Sequence, residues 1–405
     1  MTNESGVSSD QVTAENFGEK GIYIHIPFCF NKCYYCDFNS QEKLTEKEVD
    51  DYLKALELQF RLFEDKFQLT SYVWDTLYIG GGTPSVLKDY QVEYLNQIIQ
   101  KYLYLKPGAE VTVELNPYPG SENDHMGAFL NAIATFANRL SIGFQSLCNK
   151  NLIFLGREHT KEDSYRTYNL ARKIGFSNIN IDLIYGIPGQ SGSEFTAELA
   201  QAIEFGPEHI SLYNLTFEPG TPLYDVCQAQ KINPVPEEDE AQMYSEAQNL
   251  LTVKGYRQYE LSNFSLPGLE SRHNLIYWRR GEYFGFGPGA HSLWKERRFY
   301  NHQDLNHYLW GVRKGSVIQE TWTVSKREAV SERIFLGLRL TGGVNLKEIS
   351  NEFQFDVEDN FSETIGDLIQ QGLLKRIGQF LMLTKKAYMI SNRVFVEFLP
   401  HLDKR

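Results

Sequence analysis

The stretch GIYIHIPFCFNKCYYCDF, residues 21–38, decides how the rest of the sequence is interpreted. It opens with a β-rich run, GIYIHI, and then places cysteines at Cys29, Cys33 and Cys36 in a C-x3-C-x2-C spacing. The chain has 405 residues and five cysteines. An odd number of thiols, clustered in so long a chain, indicates metal or redox chemistry in a reducing compartment rather than a disulfide framework.

Two kinds of metal site fit three clustered thiolates. A closed zinc site needs four Cys or His ligands, so His25 or Asp37 would have to supply the fourth. A four-iron cluster uses three thiolates on three irons and leaves one iron open to a small molecule. Because closed zinc sites usually come as two CxxC pairs, the spacing favours the iron cluster.

The composition limits the class of protein. At 42% hydrophobic residues the chain can form one large core, or a large domain with a smaller one attached. A formal charge of -12 opposes extended contact with nucleic acid, so we expect no nucleic-acid partner. Residues 1–20 are acidic and polar, without the pattern of a signal peptide, and no apolar run suits a membrane helix. We therefore expect a cytoplasmic protein without an integral membrane segment.

Strand-like and helix-like patterns alternate through the first half of the chain. The β-rich runs are 21–26, 75–79, 110–115, 139–144, 178–185 and 209–215. The helical runs are 52–67, 90–105, 128–137, 162–174, 194–205 and 241–254. This alternation predicts an α/β fold of parallel β/α units, either a doubly wound sheet or a barrel.

From about Val324 the pattern changes to three helices and a strand pair with a turn at Gly378, which predicts a winged-helix-like α+β module. Residues 326–405 carry 12 basic and 11 acidic side chains, so we interpret the module as structural or partner-docking rather than DNA-binding. The predicted organisation is a flexible N-terminal segment, a β/α core, an extension and the C-terminal module, at 1–18, 19–230, 231–323 and 324–405.

The cysteine spacing, with Tyr35 just before the last cysteine, resembles the signature of radical S-adenosylmethionine enzymes. The resemblance implies a partial (β/α)6 TIM-like barrel whose [4Fe-4S] cluster is held by Cys29, Cys33 and Cys36. In that family the open iron chelates the amino and carboxylate groups of S-adenosylmethionine. One-electron reduction, by a donor such as flavodoxin or ferredoxin, then cleaves the sulfonium to a 5'-deoxyadenosyl radical.

Further segments match the same family. GGGTP, residues 80–84, follows the second strand; alone it would be read as a turn, but its small residues allow a ligand close to the backbone. Glu114, Gln145 and Asp182 are polar groups on successive strands, and each alone is more often a satisfied buried residue. The resemblance implies S-adenosylmethionine binding by these residues: Tyr23, Gly81, Gly82, Thr83, Glu114, Gln145, Arg157, Asp182, Thr216 and His291. For His291, plain packing is an equal alternative.

IDLIYGIPGQ (181–190) and GFGPGAHS (285–292) resemble segments of the oxygen-independent coproporphyrinogen III oxidase family. The decarboxylating oxidases carry a further cysteine where this chain has Phe38. HNLIYW, residues 273–278, resembles the HNxxYW signature of a branch of heme chaperones. That resemblance implies heme binding by His273, Asn274, Tyr277 and Trp278, with His273 as a hypothetical ligand of the heme iron and Arg279 or Arg280 near the propionates. Without it, the segment would be taken for an aromatic strand ending at the surface.

Two functions follow from the resemblance. The preferred one is a heme chaperone that passes heme to an acceptor hemoprotein, for instance of the respiratory chain, with the cluster and an exchangeable S-adenosylmethionine serving dimerisation, gating or transfer. The alternative is a coproporphyrinogen III oxidase that forms protoporphyrinogen IX. A radical methyltransferase or cyclopropanase ranks last, because no second glycine-rich stretch suits a second S-adenosylmethionine. Enzymatic activity and a homodimer are left open, and Cys148 and Cys227 are expected to be buried, unreactive thiols.

Overall fold

The structure is a computed structural model that describes residues 18–42, 45–120 and 124–399. The predicted N-terminal segment 1–18 lies, apart from Gly18, outside the described residues. Within the described part of the chain, no helix has the length and apolar character needed to cross a bilayer.

The strands of the described residues form one large sheet and two small ones. They are β1 Gly21–Ile26, β2 Phe28–Cys29, β3 Gln41–Glu42, β4 Val73–Gly81, β5 Tyr104–Leu115, β6 Arg139–Gln145, β7 Ile179–Tyr185, β8 His209–Asn214, β9 Arg257–Gln258, β10 Asn263–Ser265, β11 Tyr283–Phe286, β12 His291–Trp294, β13 Arg297–Asn301, β14 Ile318–Thr323, β15 Val344–Asn345, β16 Leu374–Ile377 and β17 Phe380–Leu383.

The α-helices are α1 Glu46–Phe67, α2 Asp89–Tyr102, α3 Asp124–Ile133, α4 Asn149–Phe154, α5 Lys161–Ile174, α6 Gly192–Glu204, α7 Pro222–Gln228, α8 Glu237–Val253, α9 Arg272–Trp278, α10 Leu305–Arg313, α11 Lys326–Gly337, α12 Leu346–Phe353, α13 Val357–Gln370 and α14 Ser391–Val396.

The large sheet contains twelve strands in the order β14-β13-β12-β11-β1-β4-β5-β6-β7-β8-β10-β9. Strands β1, β4, β5, β6, β7 and β8 are parallel neighbours in chain order. The predicted α/β fold with six parallel β/α strands is thus confirmed. On the other side of β1, strand β11 is also parallel, and β12 to β14 continue the sheet in antiparallel fashion. The carboxyl ends of the parallel strands meet at one edge, where ligands bind in such folds.

Helix α1 shows why the predicted and observed boundaries differ. It begins at Glu46, six residues before the apolar pattern starts, because Thr45 and Glu48 form a capping box that satisfies backbone donors of the first turn. Its buried face packs Phe60 against Phe286, with stacked rings whose centroids are 3.8 Å apart. Burying a phenyl ring of this kind contributes roughly 1.5–3 kcal/mol. Because Phe286 lies on β11, this contact holds α1 against the strand that extends the sheet beyond β1.

The C-terminal part has a hydrophobic core of its own, whose buried residues include Ile334, Ile365 and Leu381. The predicted three helices and the strand pair are present, as α11 to α13 and the hairpin of β16 and β17, which turns at Gly378 with φ 58°. A third strand, β15, pairs with β17. The likeness to a winged helix and the domain boundaries stay predictions.

Candidate functional site

The cysteine loop and the GGGTP segment are joined at the carboxyl edge of the parallel strands. Cys29 follows β1, and Gly82 follows β4. The Gly82 N–H donates to the carbonyl oxygen of Ile26 at 2.8 Å, and the Thr83 N–H donates to that of Phe28 at 2.6 Å. A Cβ on residue 82 would lie 2.5 Å from the Phe28 oxygen, so this approach requires glycine.

Cys29 ends the short strand β2, Cys33 and Cys36 lie in the loop that follows it, and all three are free, half-buried thiols. The Thr83 hydroxyl donates to the sulfur of Cys29 at 3.4 Å, and the Arg157 guanidinium donates to that of Cys33 at 3.4 Å. Burial raises the pKa of the Cys36 thiol to about 11 and also raises that of Cys29. Iron must therefore displace protons from at least these two thiols when a cluster forms.

Arg157 connects three segments of this edge. Its Nη2 donates to Asn116 Oδ1 at 2.6 Å and to the Gly143 carbonyl oxygen at 2.8 Å. Asn116 in turn donates to the Thr83 hydroxyl at 2.8 Å. Asn116 was missed by sequence reasoning, although it lies two residues after Glu114 and so projects from the same side of the chain. Through Arg157 and Asn116, hydrogen bonds therefore join the cysteine loop, the glycine segment and β6.

Two carboxyl groups lie inside the parallel strands near this edge. Glu114 accepts from the Tyr78 hydroxyl at 2.6 Å and from the Gly81 N–H at 3.0 Å. Burial raises the pKa of Glu114 to about 7, and the nearby charge of Asp182 adds to the effect. Asp182 accepts from Ser141 and Asn180, and burial raises its pKa as well. A cationic ligand would stabilise the ionised form of both groups.

His25 is held on both ring nitrogens and is therefore not available to a metal in this structure. Nδ1 is 2.9 Å from the Tyr23 hydroxyl, and Nε2 is 2.7 Å from the Asn39 carbonyl oxygen. In the described ranges no three His, Cys, Asp or Glu side chains surround a single metal position. A four-iron cluster does not need one shared metal position, because each of its thiolate ligands binds a different iron.

Three further residues that were predicted to bind S-adenosylmethionine lie on different parts of the sheet: Gln145, Thr216 and His291. Gln145 is half-buried at the end of β6 with φ 63°, next to an irregularity in its pairing with β7. Thr216 is exposed beyond β8. His291 is exposed at the start of β12, outside the parallel strands, and stacks on Tyr300 at 5.0 Å between ring centroids. The segment around His291 still reaches the cysteine loop, since the Asn39 side chain donates to the Pro288 carbonyl oxygen at 3.3 Å.

HNLIYW forms the short helix α9 and not a surface strand. His273 is 1% exposed, and both of its ring nitrogens are bonded, Nδ1 to the Thr76 hydroxyl at 2.7 Å and Nε2 to the Tyr277 hydroxyl at 2.8 Å. Burial lowers the pKa of His273 to about 3. Glu110, which is in register with Thr76, accepts from the His273 N–H at 3.0 Å. The motif therefore packs against the strands well before their carboxyl ends, away from the cysteines.

The other side chains predicted to contact heme lie around α9. Asn274, Tyr277 and Trp278 are half-buried, and the Arg339 guanidinium lies 4.2 Å from the centre of the Trp278 ring. Arg280 was expected near heme propionates, but it is buried and bonded to Glu296 and Glu332, each at 2.7 Å, so its charge is already compensated.

One further expectation needs correction. Cys148 and Cys227 are half-buried rather than buried. The larger of two clefts in the described structure, about 790 Å³ between α6 and α8, contains none of the predicted site residues, whereas the smaller one is lined by Cys33, Thr83, Asn116 and Arg157 among others.

Comparison with known proteins identifies the class. Residues 23–201 match the Radical SAM superfamily, and residues 324–390 match the HemN C-terminal domain. The chain is thus a radical SAM protein with a HemN-type C-terminal region. Heme chaperone HemW of Bacillus subtilis (strain 168) is 36% identical over 95% of this chain and 100% of its own length. The corresponding protein of Lactococcus lactis subsp. lactis (strain IL1403) is 38% identical over 93% and 96%. The chain belongs to the heme chaperone HemW family.

The solved structure of coproporphyrinogen III oxidase (HemN) from Escherichia coli, described as a radical SAM enzyme, superimposes with a TM-score of 0.82 at 23% identity. The match covers 95% of this chain and 91% of that one, which establishes a shared fold. At this identity the likeness carries no conclusion about activity.

Proposed function

We propose that this protein is a heme chaperone that binds heme and transfers it to an acceptor hemoprotein. It would carry a [4Fe-4S] cluster on Cys29, Cys33 and Cys36 and an exchangeable S-adenosylmethionine beside it. The observation that supports this most directly is the hydrogen-bonded junction of the cysteine loop, Thr83 and Arg157, in a chain of the HemW family.

The residues around the cysteines suit such a cluster. When bound, the cluster supplies an open iron for the amino and carboxylate groups of S-adenosylmethionine. Thiolate ligands are anionic, and donors aimed at the sulfurs stabilise that charge, as Thr83 and Arg157 do here for Cys29 and Cys33. Arg157 is itself held by Asn116 and Gly143, so its guanidinium is fixed before the metal arrives.

The carboxyl groups at the carboxyl edge of the six parallel strands, which is the mouth of the proposed partial barrel, suit the cationic part of S-adenosylmethionine. Glu114 accepts from the N–H of Gly81, within the GGGTP segment for which the resemblance implies S-adenosylmethionine binding. The sulfonium cation of a ligand bound there would favour the ionised carboxylate over the protonated form. Asp182, with Ser141 and Asn180 as donors, is the second acceptor on the same inner surface.

Heme binding at HNLIYW requires a rearrangement. The ring nitrogens of His273 are bonded to Thr76 and Tyr277, so ligation of iron requires that one of these bonds break. Tyr277 and Trp278 offer aromatic faces to a flat macrocycle once α9 moves. We retain His273 as the proposed iron ligand, with the condition that one of its two hydrogen bonds breaks when heme binds.

A pair of anaerobic assays separates the two main candidate functions. The reconstituted, reduced protein is titrated with heme, and in parallel it is incubated with S-adenosylmethionine and coproporphyrinogen III. We expect stoichiometric heme binding with a Soret band and no decarboxylated product. Formation of protoporphyrinogen IX together with absent heme binding would reject the chaperone function in favour of the oxidase. Transfer to an apo-hemoprotein, and reduction by flavodoxin or ferredoxin, are then measured with the heme-loaded protein.

A further inference from the structure

A continuous set of contacts links the barrel mouth to helix α9. At the mouth, Glu114 accepts from the Gly81 N–H at 3.0 Å and from the Tyr78 hydroxyl at 2.6 Å. Through Glu114, the Tyr78 hydroxyl is therefore linked to the backbone of Gly81. Gly80, beside them, has no room for a Cβ, which would lie 2.6 Å from the Glu114 carboxyl carbon. The Glu114 carboxyl group therefore packs directly against the Gly80 backbone.

The ring of Tyr78 continues the path toward HNLIYW. It stacks on the imidazole of His273 with centroids 5.2 Å apart and an interplanar angle of 28°. His273 is anchored by Thr76 and Tyr277, and a Cβ on Gly21 would come within 3.0 Å of its Cε1 atom. Since the imidazole is enclosed on these sides, it cannot leave its place without disturbing the stack on Tyr78.

We propose that Tyr78 is a positioning residue that couples the two sites, so that S-adenosylmethionine bound at the mouth weakens heme binding at α9. The inference rests on the proposed function. Heme iron can reach His273 only if its ring leaves Thr76 or Tyr277. A cationic ligand beside Glu114 keeps the carboxylate ionised, and an ionised carboxylate holds the Tyr78 hydroxyl more strongly than a neutral one. A ligand that stabilises Tyr78 in its bond to Glu114 and its stack on His273 therefore opposes the movement of His273 that heme binding requires.

The coupling is measured on the full-length, anaerobically reconstituted protein. Ferric heme is titrated by Soret absorbance without S-adenosylmethionine and at a saturating concentration of it. We expect the Kd for heme to rise about fivefold or more, the lower end of ordinary allosteric coupling. By linkage, saturating heme must raise the Kd for S-adenosylmethionine by the same factor. A heme Kd that S-adenosylmethionine leaves unchanged overturns the inference.

Two tyrosine variants test the role of Tyr78. Tyr78→Phe keeps the ring on His273 and removes the hydroxyl, so heme binding alone should persist while the coupling factor falls to near one. The matched control is Tyr94→Phe, which removes a phenol that donates to Glu57 at 2.5 Å on the outside of the barrel. The control should keep the full factor. Retention of the full factor by Tyr78→Phe would also overturn the inference.

A measurement on the wild type covers the case in which Tyr78→Phe does not fold. Backbone hydrogen exchange in residues 272–278 should slow when S-adenosylmethionine binds, because α9 is held more firmly. Exchange that is unaffected by the ligand contradicts the coupling. Failure of the wild type to bind heme rejects the proposed function and this inference together, whereas heme binding without coupling rejects this inference alone.

Discussion

Acidification from pH 7 to pH 5 tests the burial of His273. Burial, and to a smaller extent the charge of Arg139, lowers the pKa of this imidazole to about 3 in the folded protein, against an ordinary 6.5. Between these values the unfolded chain binds the proton and the folded one does not. The free energy of unfolding therefore falls as the pH is lowered through this window. At pH 5, about 1.5 pH units below 6.5, the loss due to His273 is about 2 kcal/mol.

The assay is urea unfolding of the wild type and His273→Gln at both pH values, under identical anaerobic conditions. We expect the variant to be less stable at pH 7, because the contacts to Thr76 and Tyr277 change, but to lose about 2 kcal/mol less than the wild type at pH 5. His209 and His159 are also buried with lowered pKa values, but they are present in both proteins, so their effects cancel in the comparison.

His307→Gln serves as the control, since the His307 side chain is 79% exposed. It should show the acid sensitivity of the wild type. Equal losses of stability in the wild type and His273→Gln would refute the reasoning, because they would mean that the imidazole reaches water in the folded protein.

The other predictions concern the mouth of the barrel. Cys33→Ser should fail to retain iron after anaerobic reconstitution, measured by iron content and visible absorbance; iron at the wild-type level would contradict the cluster assignment. Gly82→Ala should lose roughly 1–3 kcal/mol of unfolding free energy, because its Cβ meets the Phe28 oxygen at 2.5 Å. Gly127→Ala, in open space on α3, should instead gain up to about 1 kcal/mol. Arg157→Lys should raise the Kd for S-adenosylmethionine about tenfold in calorimetric titration, since a single ammonium cannot reproduce the planar fork that reaches Cys33 through Nη1 and Asn116 and Gly143 through Nη2; unchanged affinity would contradict a role for Arg157 in this site.

The sequence was sufficient for the elements whose patterns are local. Apolar residues recur at every second position in the runs around 139–144 and 178–185, which is typical of strands, and these runs correspond to β6 and β7. The start of α1 was missed, because a capping box, rather than apolar periodicity, determines it. HNLIYW was also misjudged as a strand in its default interpretation, since its aromatic residues favour strands unless a helix cap intervenes. Ser271 supplies that cap by accepting from the Asn274 N–H.

By itself, the sequence determined the chemistry that was available: three clustered thiols, a glycine segment, and polar groups on successive strands of an α/β fold. Only the tertiary structure decided which of these groups meet. Arg157 reaches Cys33 and Asn116 across segments distant in the chain, and His273 is enclosed by Thr76, Tyr78 and Tyr277 rather than exposed. The physical reason is that burial and hydrogen-bond partners, which set pKa and accessibility, come from neighbours in space that no local pattern records.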